Sequence, residues 1–403
     1  MIKIESLDHY GRGITRIEGK IAFIENALPN EIVEIKVNKE KKKYIEGNVL
    51  SYIEKSKERV NVNCPYYNYC GGCNIMHLSY PNQLKFKQEK IENIINKYLN
   101  KNIKINDIVG CDINTAYRNK VTFQVKESIG FYKNNTYDII NIDNCLISNK
   151  LINKCISYLK KLNLKDINKI TCRTGSNQLM VILETKNIDL DIAPLKNIAN
   201  SIYLKINNKF IHIFGNENIY ETLGNYKYII SPDSFFQVNI NTCLKLYNKI
   251  KDYVGTNKNI IDLYCGTGSI GIFVNDSNKV IGIEINESAT KDALKNKKIN
   301  SVDNVDFICG DSGKKLKDLK FNPDIIIVDP PRSGLNEETI NNILKFNPKE
   351  IIYVSCDPMT LVRDLNTLNK YYDIKELTPF DMFPNTYHVE CLTYLTKKCK
   401  KNV

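Results

Sequence analysis

The chain is 403 residues long, too many for one ordinary core, so two or three domains are expected. Its 42% hydrophobic and 25% charged residues are those of a globular protein in water. No stretch approaches the roughly 18 apolar residues of a membrane span, and the start, MIKIESLDHYGRG, has no apolar segment of a secretory signal. A net charge of +12, from 57 Lys+Arg against 45 Asp+Glu, favours a polyanionic partner. The expected location is the cytoplasm, where 13 cysteines serve as thiols, metal ligands or catalytic groups rather than disulfides. Nothing in the sequence demands an oligomer, so a monomer is expected.

Residues 1–56 read as a small β-barrel of the OB kind. GITRIEGKIAFIENALPNEIVEIKVNKEKKKYIEGNVLSYIE alternates apolar and polar residues in about five short runs broken by Gly, Pro and Asn. The run Lys39–Lys43 is either a solvated hairpin tip or an RNA contact. Residues 57–80 hold a cysteine group. PNQLKFKQEKIENIINKYLN, residues 81–100, has apolar residues at helical spacing and starts with Pro. The stretch 105–232 is mixed, with strands such as QLMVILET, and from 233 onward strands and helices alternate, the pattern of a parallel sheet covered by helices. The expected fold is therefore α/β and multidomain. A barrel occupies 1–56 and a central α+β domain takes 57–80 with 105–232. A Rossmann-like domain takes 233–403 with the helical segment 81–104.

NIIDLYCGTGSIGIFV, residues 259–274, is an apolar strand, a glycine turn and a helix start. Gly266, Gly268 and Gly271 let backbone approach a ligand closely, as in dinucleotide sites. The next strands end in Glu284, placed to accept from ribose hydroxyls, then Asp311, then Asp329-Pro330-Pro331. A nicotinamide enzyme fits the glycines but not the Asp-Pro-Pro tip. The series resembles the S-adenosylmethionine methyltransferases.

IIYVSCDPMTLVRDL, residues 351–365, ends its strand on Cys356, at the same crevice. A buried structural thiol is the plain alternative; beside a methyl donor, a nucleophile is the better reading. A thiolate that adds to an unsaturated ring makes the neighbouring carbon nucleophilic enough to take a methyl group. A base must then remove that carbon's proton. Glu390 in DMFPNTYHVECLTYL is the candidate, with His388 competing.

CPYYNYCGGC places Cys64, Cys70 and Cys73 at C-x5-C-x2-C spacing. A redox pair is disfavoured by the third cysteine and by the absence of a strand-to-helix context. Zinc and an iron–sulfur cluster both remain open on spacing alone. His77 is a rival ligand, read as structural.

YVSCDPMTLVRDL together with DMFPNTYHVE resembles the RNA uracil-5-methyltransferase family. The resemblance implies Cys356 as nucleophile and Glu390 as base. SPDSFFQVN, residues 231–239, and YRNKVTF, residues 117–123, match two more family motifs. They imply that Gln237 contacts cofactor and base, that Phe235 lies near the uracil, with Phe236 as a possible stacking partner, and that Arg118 holds substrate. Tyr264, Gly266, Ser269, Glu284, Asp311 and Asp329 correspond to cofactor contacts. Asp329 is also expected on the uracil edge, and Ser269 stands where the family often has Asn. The resemblance turns the cysteine group into a 4Fe–4S cluster whose fourth ligand is Cys145, in YDIINIDNCLIS. The barrel is similar to a TRAM domain, an RNA-binding unit. A TRAM domain with a cysteine cluster implies the 23S ribosomal RNA branch, with tRNA as the second expectation. A non-catalytic iron–sulfur RNA-binding factor is the different-class alternative, disfavoured by the intact set Cys356, Glu390, Gln237 and Asp329. Cytosine-5 methylation is disfavoured by the HVE motif.

Overall fold

The computed structural model describes residues 1–99, 103–276 and 278–399. The first unit is a six-stranded sheet in the order Ile2–Lys3, Ile32–Glu40, Tyr44–Glu54, Lys20–Glu25, Gly13–Ile17, Ser6–Leu7. Register shifts between Ile32–Glu40 and Tyr44–Glu54 let the pair bend around a core of Ile4, Ala22, Ile24, Ala27, Val33 and Ile45. The turn between these strands is the lysine run, exposed from Lys39 to Lys43.

The central unit is a seven-stranded sheet in the order Ile139–Asn141, Ile129–Tyr132, Lys120–Val125, Ile167–Gly175, Gln178–Thr185, Ser201–Ile206, Lys209–Gly215. Helix Lys150–Leu159 lays Ile152, Cys155, Ile156 and Leu159 on one face. That spacing gives a helix one apolar stripe, and the stripe covers the sheet. Asn149 caps the helix by accepting from the Leu151 amide.

The third sheet has eight strands in the order Val305–Cys309, Lys279–Glu284, Asn259–Leu263, Ile325–Val328, Glu350–Ser355, Glu390–Lys397, Tyr372–Phe380, Lys104–Ile105. The first five are parallel. Their apolar runs fit strands buried on both faces, such as the fully buried Ile325–Val328. Glu390–Lys397 inserts antiparallel between Glu350–Ser355 and Tyr372–Phe380. Lys104–Ile105 joins the far edge, so residues just after the first helix run with this sheet. The hairpin Ile219–Leu223/Tyr226–Ile230 puts Ile219, Leu223, Tyr228 and Ile230 into the same core as Ile260 and Ile272.

Helix Tyr80–Leu99 packs Ile91, Ile94, Ile95 and Leu99 into the core under this third sheet. The same helix buries three polar side chains, each tied to the segment 381–389. Lys87 Nζ donates to Asp381 Oδ1 at 2.5 Å and to the Phe383 carbonyl at 3.1 Å. Gln83 donates to Asn385 Oδ1 at 3.2 Å and accepts from the Asn385 amide at 2.9 Å. Lys90 donates to the Tyr387 carbonyl at 2.9 Å. Both Lys87 and Asp381 side chains are fully buried. Removing one partner of such a pair strands the other charge away from water. Lys87→Met is therefore expected to destabilise the protein by about 3–5 kcal/mol in chemical denaturation, and the double change Lys87→Met with Asp381→Leu to recover most of that loss.

Candidate active site

The register of one antiparallel pair builds the site. Ser355 pairs with Cys391. The residue after the first strand, Cys356, and the residue that opens the second, Glu390, therefore meet at the same edge. Asp329 follows Val328, the last residue of the neighbouring parallel strand. Burial pushes the Cys356 thiol up to about 11, with Glu390 and Asp329 adding to the effect and Arg332 opposing it. Glu390 is held well above the usual carboxylate range by burial and by Asp329, against Arg332. Burial raises Asp329 to about 7. Three acidic groups thus share one poorly solvated corner.

Helix Pro358–Leu368 begins immediately after Cys356. Asp357 caps it by accepting from the Met359 and Thr360 amides at 2.9 and 3.0 Å. The helix start favours negative charge nearby, which suits a thiolate. The same helix holds the loop that carries Arg332. Thr360 Oγ1 donates to the Arg332 carbonyl at 3.1 Å, and Arg363 donates to the Ser333 and Leu335 carbonyls at 2.9 and 3.0 Å.

The cofactor-side residues lie at the tips of adjacent strands. Gln237, Tyr264, Gly266, Ser269 and Asp329 line one small cavity. Gly266, at φ +54°, has no atom within 4 Å of where a Cβ would stand, so its backbone is open to a ligand. Glu284 accepts from the Gly266 amide at 2.9 Å and the Asn286 amide at 2.7 Å. Asp311 caps the next helix by accepting from the Lys314 amide at 3.0 Å. Ser269 Oγ lies 2.7 Å from the Tyr247 hydroxyl. Asp262 accepts from the Gly271 amide at 3.1 Å, and its other oxygen is buried without a partner. This open, acceptor-rich edge fits a ligand carrying ribose hydroxyls and an adenine amine.

A second cavity, about 580 Å³, adjoins the corner. Arg118, Lys120, Phe235, Arg332, Phe383 and His388 form part of its wall. Phe235 is 60% exposed, whereas Phe236 is buried against Tyr228 with ring centres 5.5 Å apart. The expected aromatic pair is therefore one ring, Phe235; Phe236 belongs to the core. Arg173, buried, donates to the Ser231 and Ser234 carbonyls at 2.9 and 2.6 Å and fixes the loop that carries Phe235 and Gln237. The YRN motif joins two parts of the site. Tyr117 donates to the Pro384 carbonyl at 3.0 Å and Asn119 to the Gln237 carbonyl at 3.0 Å, with Arg118 between them on the cavity wall. Burial lowers His388 to about 4, so it is neutral near pH 7.

Cys64, Cys70, Cys73 and Cys145 line the far wall of the same cavity, all as free thiols. Burial raises Cys73 strongly, and Cys145, Cys70 and Cys64 each add to that rise. Among the described residues, no group of three or more His, Cys, Asp or Glu is arranged to hold a metal ion. His77 lies elsewhere, buried, with Nδ1 2.5 Å from the Tyr67 hydroxyl.

Residues 79–398 match the family described as tRNA (uracil-5-)-methyltransferase, and residues 1–50 match the TRAM domain. The chain belongs to the RNA uracil-5-methyltransferase family. An uncharacterized RNA methyltransferase of Caldanaerobacter subterraneus subsp. tengcongensis is 36% identical, covering 98% of this chain and 97% of that one. Another, of Clostridium acetobutylicum, is 34% identical over 98% and 96%. Among solved structures, the Pyrococcus abyssi tRNA (uracil-54, C5)-methyltransferase in complex with S-adenosyl-L-homocysteine is 30% identical, with a TM-score of 0.82 over 98% of each chain. The family's activity is S-adenosylmethionine-dependent methylation of uracil carbon 5 in RNA.

Sequence reasoning passed over Arg332, Arg173 and Lys120. Arg332 directly follows Asp329-Pro330-Pro331, and that adjacency was the available signal. Gly268, at φ +75°, would bring a Cβ to 2.3 Å from the Phe307 ring. Gly268→Ala is expected to weaken S-adenosylhomocysteine binding by at least roughly tenfold in calorimetric titration while circular dichroism stays unchanged.

Proposed function

We propose that this uracil-5-methyltransferase works through a covalent Cys356–uracil adduct resolved by Glu390, on a uridine in 23S ribosomal RNA. One observation carries the mechanism: strand register sets Cys356 and Glu390 at one edge, beside Asp329. The thiolate of Cys356 adds to carbon 6 of the uracil, forming a C–S bond and an enolate. Gln237, Tyr264, Gly266, Ser269, Glu284, Asp311 and Asp329 would hold S-adenosylmethionine, which would supply an electrophilic methyl for carbon 5 and leave as S-adenosylhomocysteine. Glu390 then accepts the carbon 5 proton, the C–S bond breaks and the thiolate returns to Cys356. Arg332 offsets the negative charge during both thiolate stages. Phe235 offers its exposed face to the flipped base, Arg118 its charge to the adjoining phosphate, and Asp329 a hydrogen bond to the uracil edge. His388 is set aside as base because burial lowers it to about 4, which makes it a weak proton acceptor, and because it lines the 580 Å³ cavity.

The assignment to 23S RNA rests on the pairing of a TRAM domain with the four-cysteine set. A tRNA substrate is the second reading, favoured by the Pyrococcus abyssi tRNA enzyme's similarity along the whole chain. We assign Cys64, Cys70, Cys73 and Cys145 to a 4Fe–4S cluster, supported by four thiols that line one cavity. Such a cluster would staple residues 64–73 to the loop at 145. We take residues 1–56 as the TRAM unit, 57–80 with 105–232 as the central unit, and 81–104 with 233–403 as the methyltransferase unit. We take the protein to be a cytoplasmic monomer; among the described residues, no helix is long and apolar enough to cross a membrane.

Anaerobically purified protein is expected to form a denaturation-resistant adduct with 5-fluorouridine-substituted 23S transcripts, lost in Cys356→Ala. An adduct confined to tRNA would move the substrate, and none on either would sink the covalent mechanism. Glu390→Gln should accumulate the adduct on ordinary uridine, visible as a retarded protein–RNA band. With the thiol near 11, more of it ionises as pH rises, so single-turnover adduct formation should climb about tenfold per pH unit from about pH 7 to 9; a flat profile would place the limiting step elsewhere. The same preparation should carry about four iron atoms per chain, with its visible absorbance lost in Cys73→Ser.

A further inference from the structure

The barrel does not merely precede the catalytic unit; it touches the segment that leads to Glu390. The contact is made by a rigid loop. The Asp8 carboxylate accepts from the Tyr10 amide at 2.9 Å, the Arg12 amide at 2.8 Å and Arg12 Nε at 2.7 Å. Gly11, at φ +82°, passes so close to Ile75 that a Cβ would lie 2.3 Å from its side chain. The loop is thus fixed by its own hydrogen bonds and by its contact with Ile75, yet the Tyr10 side chain is 55% exposed. A ring held this firmly in water is not filling a core.

Tyr10 begins a row of rings. It meets Tyr387 edge to face, with centres 5.2 Å apart. Tyr387 lies 4.3 Å from His388, and His388 lies 6.0 Å from Phe383. His388 and Phe383 are walls of the 580 Å³ cavity that Phe235 also borders. The row therefore runs from the barrel surface to the chamber beside Cys356. Two cations brace the row from within: Arg12, ion-paired with Asp8, is 5.4 Å from the Tyr10 ring centre, and Lys90, buried and donating to the Tyr387 carbonyl, is 5.0 Å from that of Tyr387. The one carboxylate of the loop, Asp8, is occupied by Arg12.

We propose that Tyr10, Tyr387 and His388 form a stacking ledge for the unpaired nucleotides that flank the target uridine. The RNA would then enter as an extended single strand, passing from the cavity onto the barrel. This inference rests on the reading of the protein as an RNA uracil methyltransferase. A row of rings suits single-stranded nucleic acid, because every base has a π-face. Flipping a uridine also deprives its neighbours of a stacking partner, and the ledge restores one. A protein partner would not need a row that leads to the cavity bordered by Phe235.

The test is fluorescence-anisotropy binding of labelled single-stranded oligouridine to full-length wild type, Tyr10→Ala, Tyr10→Phe and the exposed control Tyr371→Ala. Tyr10→Ala is expected to weaken binding by roughly ten- to hundredfold. Tyr10→Phe should keep it, since stacking uses the face and not the hydroxyl, and Tyr371→Ala should leave it unchanged. With 4-thiouridine in the oligomer, irradiation should give a peptide cross-linked at Tyr10 or Tyr387. Equal affinity of Tyr10→Ala and wild type, or equal losses in Tyr10→Ala and Tyr371→Ala, would overturn the ledge. The result is independent of chemistry: if wild type forms no 5-fluorouridine adduct yet binds through Tyr10, the methylation mechanism fails and the ledge stands.

Discussion

Everything chemical in this molecule depends on one strand running the wrong way. In a purely parallel sheet, only residues that follow a strand reach the carboxyl edge. Glu390–Lys397 enters antiparallel, so that edge receives a residue that precedes a strand. The pairing Ser355 with Cys391 then sets Glu390 across from Cys356 with no loop needed to bring them together. Side chains alternate with a period of two, so a slip of one residue would turn Glu390 to the other face of the sheet. Groups placed on paired strands are held far more tightly than groups on free loops.

An antiparallel strand must be reached by a connection that crosses the open edge, and here that is residues 381–389. Such a segment would be mobile unless its backbone found partners. It finds them in a helix about three hundred positions earlier in the chain. Gln83, Lys87 and Lys90 each take a carbonyl, amide or side chain of this segment. Burying Lys87 is costly, since its charge leaves water, and Asp381 returns only part of that cost. A hydrophobic pair would hold the helix as well. What the polar set adds is direction, because hydrogen bonds to Phe383, Asn385 and Tyr387 fix where the chain runs and not only that it packs.

The parts of this arrangement that were legible in the sequence are those written locally. A buried strand shows as an apolar run, a close backbone approach as glycine, and a strand tip as the polar residue that ends the run. Gly266, Glu284, Asp329 and Cys356 all announce themselves this way. The unreadable parts are contacts between distant segments. Lys87 is an ordinary lysine in a helix pattern until Asp381 faces it, and Arg173 sits in a strand whose purpose lies in the loop at Ser231. Phe235 and Phe236 are adjacent in an irregular loop, where no periodicity says which ring turns inward. The backbone path alone sends Phe236 to Tyr228 and leaves Phe235 to the cavity. The cysteine spacing likewise left zinc and iron–sulfur open, because Cys145, which lines the same cavity as Cys64, Cys70 and Cys73, lies far along the chain from them.

The corner around Cys356 has more acid than it can ionise. Burial opposes the charging of all three, Asp329 opposes that of Glu390, and both carboxylates oppose that of Cys356. Yet the proposed chemistry needs an anion at sulfur first and at Glu390 later. Arg332 is the protein cation that eases both, and it is fixed by Thr360, a residue of the helix that starts beside Cys356. One positive charge cannot carry three negative ones. A methyl donor is a sulfonium, positive until it gives its methyl away, and the walls it would meet include Asp329. A corner overloaded with acid is therefore unfavourable when empty and suited to a cation, and the thiol's reluctance to ionise keeps it from reacting before that cation has arrived.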